Sequence, residues 1–215
     1  MQKIVMIGSR EMSQRLTCFF ESTNFGEVVG MFDDFESEGT IKCDKPILGK
    51  IADIPAVYKK GAFDSVAIGV GYSHRRFRKE AFEFLKGHQI PSATFIHPTS
   101  YIDKAATIKA GCVVLANCTI EMDAELHENV YLGATSFIGQ DAKIHAHSYC
   151  SAATKLAGGA EVGECCFLGI NTTAIDGIRI GMNVQTAAGA VVTKDVVSHV
   201  LVAGVPAVVK REISF

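Results

Sequence analysis

Net charge is nearly absent from this 215-residue sequence: 21 Lys and Arg face 23 Asp and Glu, for a formal value of −2. That balance excludes the broad basic surface by which proteins hold nucleic acid or anionic membrane. No apolar run approaches the roughly 20 residues of a membrane-spanning helix, and the opening apolar segment, residues 4–7, is too short for a secretory signal. The seven cysteines, an odd number, lack any metal-like CxxC spacing, and a reducing cytoplasm is the simplest setting for them. The GxGxxG fingerprint of dinucleotide-binding turns is missing too, because Gly8 is followed by Ser9, Arg10, Glu11, Met12 and Ser13. What remains is a chain with 48% hydrophobic residues, ample for a buried core, and room for one large or two modest domains.

A six-residue period fills residues 96–197. Counting from Ile96, every sixth position to Val192 is Ile, Leu or Val except Cys150, Ala174 and Thr186. Four places after each comes a second column of mostly small residues, among them Ser100, Cys112, Cys118, Ser148, Cys166 and Ala190. Three places after each stand residues that tolerate a left-handed backbone, including Gly111, Asn117, Asp123, Asn129, Asp141, Asn171, Gly177, Asn183, Gly189 and Asp195. Neither a helical period nor plain alternation fits. An inward aliphatic, a left-handed turn residue and a small corner residue predict a β-helix of short strands. Three hexads close one coil, so residues eighteen apart stack at about 4.8 Å.

The residues flanking the inward aliphatics must point outward. One face then carries Val113, Tyr131, Tyr149 and Phe167, with Leu115 beside them, and such an apolar stripe predicts a covered surface or self-association, the latter being the expectation here. Another face carries Glu125, Lys143, Glu161 and Arg179 in alternating sign, beside His127 and His145, and reads as solvated. Two stacked histidines fall short of the three ligands that a zinc site between subunits needs, so no metal is expected. Beyond Val197 the hexad stops, and the apolar tail at 200–209, broken by Gly204 and Pro206, reads as a cap on the open end of the helix.

The amino-terminal part is written differently. Apolar runs at 4–7, 27–32 and 64–68 alternate with helical patterns at 12–20, 54–59 and 73–87, and residues 46–48 add a short apolar piece. Strands alternating with helices imply a small parallel sheet, with ligands beyond the carboxyl ends of its strands. There the sequence places Gly8, Ser9 and Arg10, then Asp33 and Asp34, then Gly69 to Tyr72. Free N–H groups at the start of a helix, with Arg10, suit a phosphate, and the carboxylates suit a ribose or a base edge. A turn glycine and a turn Asp pair explain the same residues without a ligand.

Taken over its full length, the chain carries MFDD at 31–34, AIG at 67–69, ECCFLGIN at 164–171, GAVVTKDV from 189 and GVPA from 204. With these motifs it resembles the bacterial sugar O- and N-acyltransferases of the sialic-acid O-acetyltransferase type, in particular the nucleotide-4-amino-sugar N-acetyltransferases. The resemblance implies a small Rossmann-like parallel α/β domain over residues 1–92 and a left-handed parallel β-helix with its cap over residues 93–215. It further implies a homotrimer, with acetyl-CoA as co-substrate in a groove between neighbouring β-helices and a nucleotide sugar on the front domain. The family's acetyl-CoA contacts fall on Gly158, Ile170 and Ala188, and its nucleotide contacts on Gly8, Ser9, Arg10, Asp33, Asp34 and Gly69. Glycines at 158 and 159 allow close approach of a ligand to the backbone, although turn glycines would look the same.

The chain departs from the family at the catalytic corner. Most members carry a histidine, often followed by an acidic residue, where this sequence has Gln140 and Asp141. A second histidine, which some relatives place in the opening loop, is replaced by Met12. An amide accepts no proton at neutral pH. A sugar hydroxyl needs a base to become a nucleophile, whereas a neutral amine already is one, and its proton can leave to water, to the departing thiolate or to Asp141. The expected activity is therefore N-acetylation of a UDP- or dTDP-linked 4-amino-deoxysugar. The alternatives are an O-acetyltransferase that uses His147, and an inactive homologue that only binds.

Overall fold

The structure is a computed structural model that describes residues 1–214, in two compact units, the first Met1–Phe95 and the second from Ile96 onward.

In the first unit, β1 (Lys3–Ile7), α1 (Glu11–Ser22), β2 (Glu27–Phe32), β3 (Ile41–Lys42), β4 (Lys45–Gly49), α2 (Ile54–Lys59), β5 (Ser65–Ile68) and α3 (Arg75–Gly87) follow one another. The sheet order is β3-β4-β2-β1-β5, with β4, β2, β1 and β5 parallel and β3 antiparallel to β4. Residues Ile4 to Ile7 are fully buried, as is all of β5, which is why these strands read as unbroken apolar runs. Helix α1 buries Leu16 and Phe20, and α3 buries Ala81, Phe82 and Leu85. The sequence pattern gave only a short apolar piece at 46–48. The chain instead makes a hairpin there, whose turn residues Cys43 and Asp44 both take left-handed φ, 51° and 58°, as a tight two-residue turn requires. The expected helix at 73–87 begins one step earlier, with a 3-10 turn over Tyr72–His74.

In the second unit, two-residue strands pair in parallel at an offset of eighteen residues, as in Val113↔Tyr131↔Tyr149↔Phe167 and Glu125↔Lys143↔Glu161↔Arg179. They build three sheets, one per face, around the aliphatic column. At each corner the left-handed position recurs: every sixth residue from Gly111 to Gly189 has positive φ. Thr135, His147, Ala153 and Cys165 adopt it despite their side chains, so the stacking of coils overrides local preference at these four corners. Thr186, the polar exception in the inward column, is satisfied by Thr172 Oγ1 at 2.6 Å and by the Gly169 N–H at 2.9 Å.

The small-residue column has a polar function as well as a steric one. Ser100, Cys112, Cys118, Ser148 and Cys166 each donate to a backbone carbonyl fifteen residues ahead, those of Leu115, His127, Gly133, Gly163 and Gly181. Cysteine and serine alternate here as small donors that tie one coil to the next, which goes beyond apolar filling.

Two expectations change. Val113, Leu115, Tyr131 and Tyr149 are buried within the single chain, Tyr131 at 2% and Tyr149 at 6% exposure. The two tyrosine rings stack 4.2 Å apart. The stripe is a covered surface, and self-association loses the support drawn from it. The hexad also ends sooner than 197: Gln185 pairs with Leu201 and Ile180 with Val196, an offset of sixteen, so the last coil is two residues short. Strand Val200–Gly204 then turns back through a cis Val205-Pro206 bond into Ala207–Glu212, a hairpin that extends one face beyond the last coil. The charged face is a ladder of solvent-facing pairs, with Lys143 Nζ 2.8 Å from Glu125 Oε1 and His145 Nε2 2.7 Å from Glu161 Oε1.

Candidate functional site

Strands Phe137–Ile138 and Lys143–Ile144 meet at a corner occupied by Gln140 and Asp141. Asp141 fills the left-handed position, φ 59°, which Asp tolerates. Gln140 precedes it and is exposed. The Gln140 N–H donates to Glu121 Oε2 at 3.1 Å, and its carbonyl accepts from the Gly159 N–H at 2.8 Å. Its side-chain Nε2 donates to Asp141 Oδ2 at 3.1 Å.

Gly158 stands one coil further along the same corner. A Cβ there would meet nothing nearer than Asp176 Oδ1 and the Gln140 carbonyl, both at 3.5 Å, and one at Gly177 would meet nothing within 4 Å. This edge therefore presents bare backbone beside Gln140, where a ligand can lie against the main chain. Ile170 and Ala188 occupy a different corner, where the Gly189 N–H reaches the Ile170 carbonyl at 2.8 Å and both side chains are exposed. The chain thus groups Gln140, Asp141 and Gly158, and separately Ile170 and Ala188.

His147 lies on the third corner and does not face solvent. It is 4% exposed, in the left-handed conformation, with its Nδ1 3.1 Å from Asn129 Nδ2 and its Nε2 4.0 Å from Glu164 Oε1. This placement buries the candidate base of the O-acetyltransferase alternative between Asn129 and Glu164. His127 and His145 stack 4.7 Å apart, each beside a glutamate. Among the described residues, no three His, Cys, Asp or Glu side chains converge as metal ligands.

In the first unit the strand ends gather as expected, but several residues prove to be internally bonded. Ser9 Oγ donates to Asp33 Oδ2 at 2.6 Å, and the Phe35 N–H to Asp33 Oδ1 at 2.9 Å, with Ser9 and Asp33 both buried. Asp34 Oδ1 accepts the Ile51 N–H at 3.0 Å. Gly8 has φ 90°, and a Cβ at Gly69 would collide with the Ser13 side chain, so both glycines are needed for packing. Ser13 Oγ itself donates to the Gly8 carbonyl at 2.7 Å and joins the ends of β1 and β5. Arg10 is exposed at the start of α1. The pattern reading missed Arg78, whose buried guanidinium donates to the carbonyls of Val70 at 2.8 Å and Ile68 at 3.3 Å. It also missed Cys43, whose thiol lies 3.8 Å from the Ser9 carbonyl and so brings the hairpin tip to the same crevice. Neither carries a sequence signal beyond its residue type.

A parallel α/β unit and a stack of hexapeptide coils are found together in several solved structures similar to this chain. A variant of perosamine N-acetyltransferase from Caulobacter crescentus, in complex with CoA and GDP-perosamine, matches at a TM-score of 0.90 and 24% identity over 98% of this chain and 97% of that one. The acetyltransferase domain of PglB from Neisseria gonorrhoeae matches at a TM-score of 0.88 and 21% identity over 98% of this chain and all of that one, and its acetyl coenzyme A complex is also similar. WeeI from Acinetobacter baumannii matches at a TM-score of 0.82 and 17% identity over 98% of this chain and 100% of that one. At these identities the likeness is one of fold. A 46-residue stretch is 48% identical to 2,3,4,5-tetrahydropyridine-2,6-dicarboxylate N-acetyltransferase from Enterococcus faecalis, and spans only about a fifth of each protein. No family model matches the chain.

Proposed function

We propose that this protein transfers an acetyl group from acetyl-CoA to the amine of a nucleotide-linked 4-amino-deoxysugar. The observation that carries the reading is the full-length fold likeness to an N-acetyltransferase held with CoA and a nucleotide amino sugar. The order of the parallel strands, β4-β2-β1-β5, supports a Rossmann-like front domain for the nucleotide, which the family resemblance makes UDP or dTDP and the structural likeness extends to GDP. Ser9, Arg10, Asp33, Asp34 and the Gly8 and Gly69 backbones are its proposed contacts, with Asp33 prealigned by Ser9. Acetyl-CoA supplies an activated thioester. The bare backbone at Gly158 fits it, as do the exposed Ile170 and Ala188 if a second copy lies alongside in a homotrimer. The setting is cytoplasmic in this reading.

Gln140 selects the chemistry. An amide on the open corner orients an acceptor without removing its proton, and that suffices for an amine. The nitrogen forms its bond to the acetyl carbon as the carbon–sulfur bond breaks, and the surplus proton goes to the departing thiolate or to water. Positioning supplies several kcal/mol of barrier lowering in such reactions. The test is release of free coenzyme A thiol by the purified chain with acetyl-CoA and UDP-, dTDP- and GDP-linked amino sugars. Release with an amino sugar and none with its hydroxyl analogue is the expected outcome. Coenzyme binding without release across the panel would leave a binding homologue, and absence of coenzyme binding would refute the acyltransferase reading.

A further inference from the structure

We propose that Gln140 is the acceptor-discriminating residue of this site: its side-chain oxygen takes a hydrogen bond from the substrate amine, and Asp141 is the positioning residue that turns that oxygen outward. The inference rests on the acetyl-transfer reading above. Its basis is the bonding of the corner. The Gln140 N–H is held by the Glu121 carboxylate, its carbonyl by the Gly159 N–H, and its side-chain NH2 by Asp141 Oδ2. A carboxylate only accepts, so the amide must turn its nitrogen to Asp141, and chemistry fixes which end points away. Oε1 is then left as an acceptor on an exposed side chain, with no partner among the described residues.

An acceptor held in this way treats amines and alcohols differently. A primary amine has two N–H groups and a lone pair, so one N–H can bond to Oε1 while the lone pair attacks. A hydroxyl that donates its single O–H to Oε1 gives its proton to a group too weakly basic to remove it, and attack would leave a charged oxygen. With the amine, the carbon–nitrogen bond forms, the carbon–sulfur bond breaks, and amine plus thioester become amide plus thiol with every proton accounted for. The backbone pins from Glu121 and Gly159 keep the corner from shifting as the substrate engages.

The experiment uses the full chain and the thiol-release assay, with thermal midpoints as a control for folding. Gln140→Met, of equal length but without a strong acceptor, and Gln140→Ala are expected to raise KM for the amino sugar about fivefold to tenfold while KM for acetyl-CoA holds within about twofold, the loss of one good hydrogen bond. Asp141→Asn lets the amide face either way, because Asn both donates and accepts, and is expected to raise the amine KM about twofold. Gln140→His restores a base, so the hydroxyl analogue begins to turn over and the pH profile gains an imidazole limb, which a purely structural role would not produce. Turnover by the unaltered chain with kinetics unchanged in Gln140→Met and Gln140→Ala overturns this inference alone. Silence of the unaltered chain with every amino sugar refutes the acetyl-transfer reading, and the inference falls with it.

Discussion

Replacing Thr135 with Asn should stabilise the protein. Thr135 sits in the left-handed region at φ 61°, in a corner column that holds Asn117 one coil before it and Asn171 two coils after it. A side chain in this conformation costs about 1–2 kcal/mol, and β-branching puts Thr at the unfavourable end. The residue is exposed, and its backbone N–H bonds to the Ala116 carbonyl at 2.9 Å whatever the side chain. Among the described residues, the side-chain bond lost is the local one from Oγ1 to the Ala134 carbonyl, which solvent replaces. Relief of most of the strain gives a gain of about 1 kcal/mol, or about 2–4 °C in thermal midpoint for a chain of this size. Thr135→Gly relieves the strain fully but gives back about 0.5–1 kcal/mol through the freer unfolded chain, so its gain is smaller. Thr119→Asn, on a strand, serves as a control and should destabilise, because Asn is a poor strand residue. Chemical and thermal denaturation of the three variants tests the order. If Thr135→Asn and Thr135→Gly both leave the midpoint unchanged or lower it, the corner does not store the cost argued here.

Three further outcomes follow from the same geometry. A Cβ at Gly163 would lie 2.7 Å from the Gly181 carbonyl carbon and the Met182 nitrogen of the next coil, so Gly163→Ala should cost about 2 kcal/mol or more, read as a fall of about 4–8 °C in midpoint. A Cβ at Gly158 meets only ordinary contacts, Asp176 Oδ1 and the Gln140 carbonyl at 3.5 Å, so Gly158→Leu is expected to weaken acetyl-CoA binding about tenfold by calorimetry with little change in midpoint; unchanged affinity would make it a turn glycine only. Lys143 beside Glu125, with a weaker contribution from His127, holds the Glu125 carboxyl below its usual value of 4.5. Because that pKa is depressed in the folded state, the stabilisation is present above pH 4.5 and is lost as pH falls below it. The pair is solvent-screened, so Glu125→Gln should flatten the acid limb of a stability–pH curve by well under 1 kcal/mol.

The β-helix was legible because its constraints are local and repeat. One inward aliphatic, one left-handed residue and one small corner residue per hexad leave a mark that survives exceptions such as Cys150 and Thr186. The exceptions themselves needed the structure, since Thr135, His147, Ala153 and Cys165 take a left-handed backbone only because the coils above and below impose it. In the first unit, strands buried on both faces announce themselves as apolar runs, whereas the β3–β4 hairpin was hidden by a two-residue strand and a Cys43–Asp44 turn that lacks glycine. The candidate site was legible in part. Its corner at Gln140 and Asp141 was named through the family resemblance and the hexad count only placed it on a turn, while the bond from Ser9 to Asp33 spans 24 residues and the burial of His147 depends on packing, and spacing reveals neither.

The same geometry sets where chemistry can reside on this helix. The inward column is committed to the core and the small column to bonds between coils, while the left-handed column is restricted to residues that bear positive φ. The place just before the left-handed residue escapes all three demands, and Gln140, Gly158 and Asp176 occupy it along one edge. Backbone need alone explains Asp141, as it explains Asp123 one coil earlier. What distinguishes Asp141 is a neighbour whose amide it can turn. Gln140 is the freely chosen residue of the pair, so a change there tests the proposed role without strain, whereas Asp141→Ala removes both the amide's partner and a residue suited to φ 59°. Loss of activity in Asp141→Ala would therefore be ambiguous. Asp141→Asn, which keeps the backbone preference and changes only the hydrogen-bonding sense, separates the two roles.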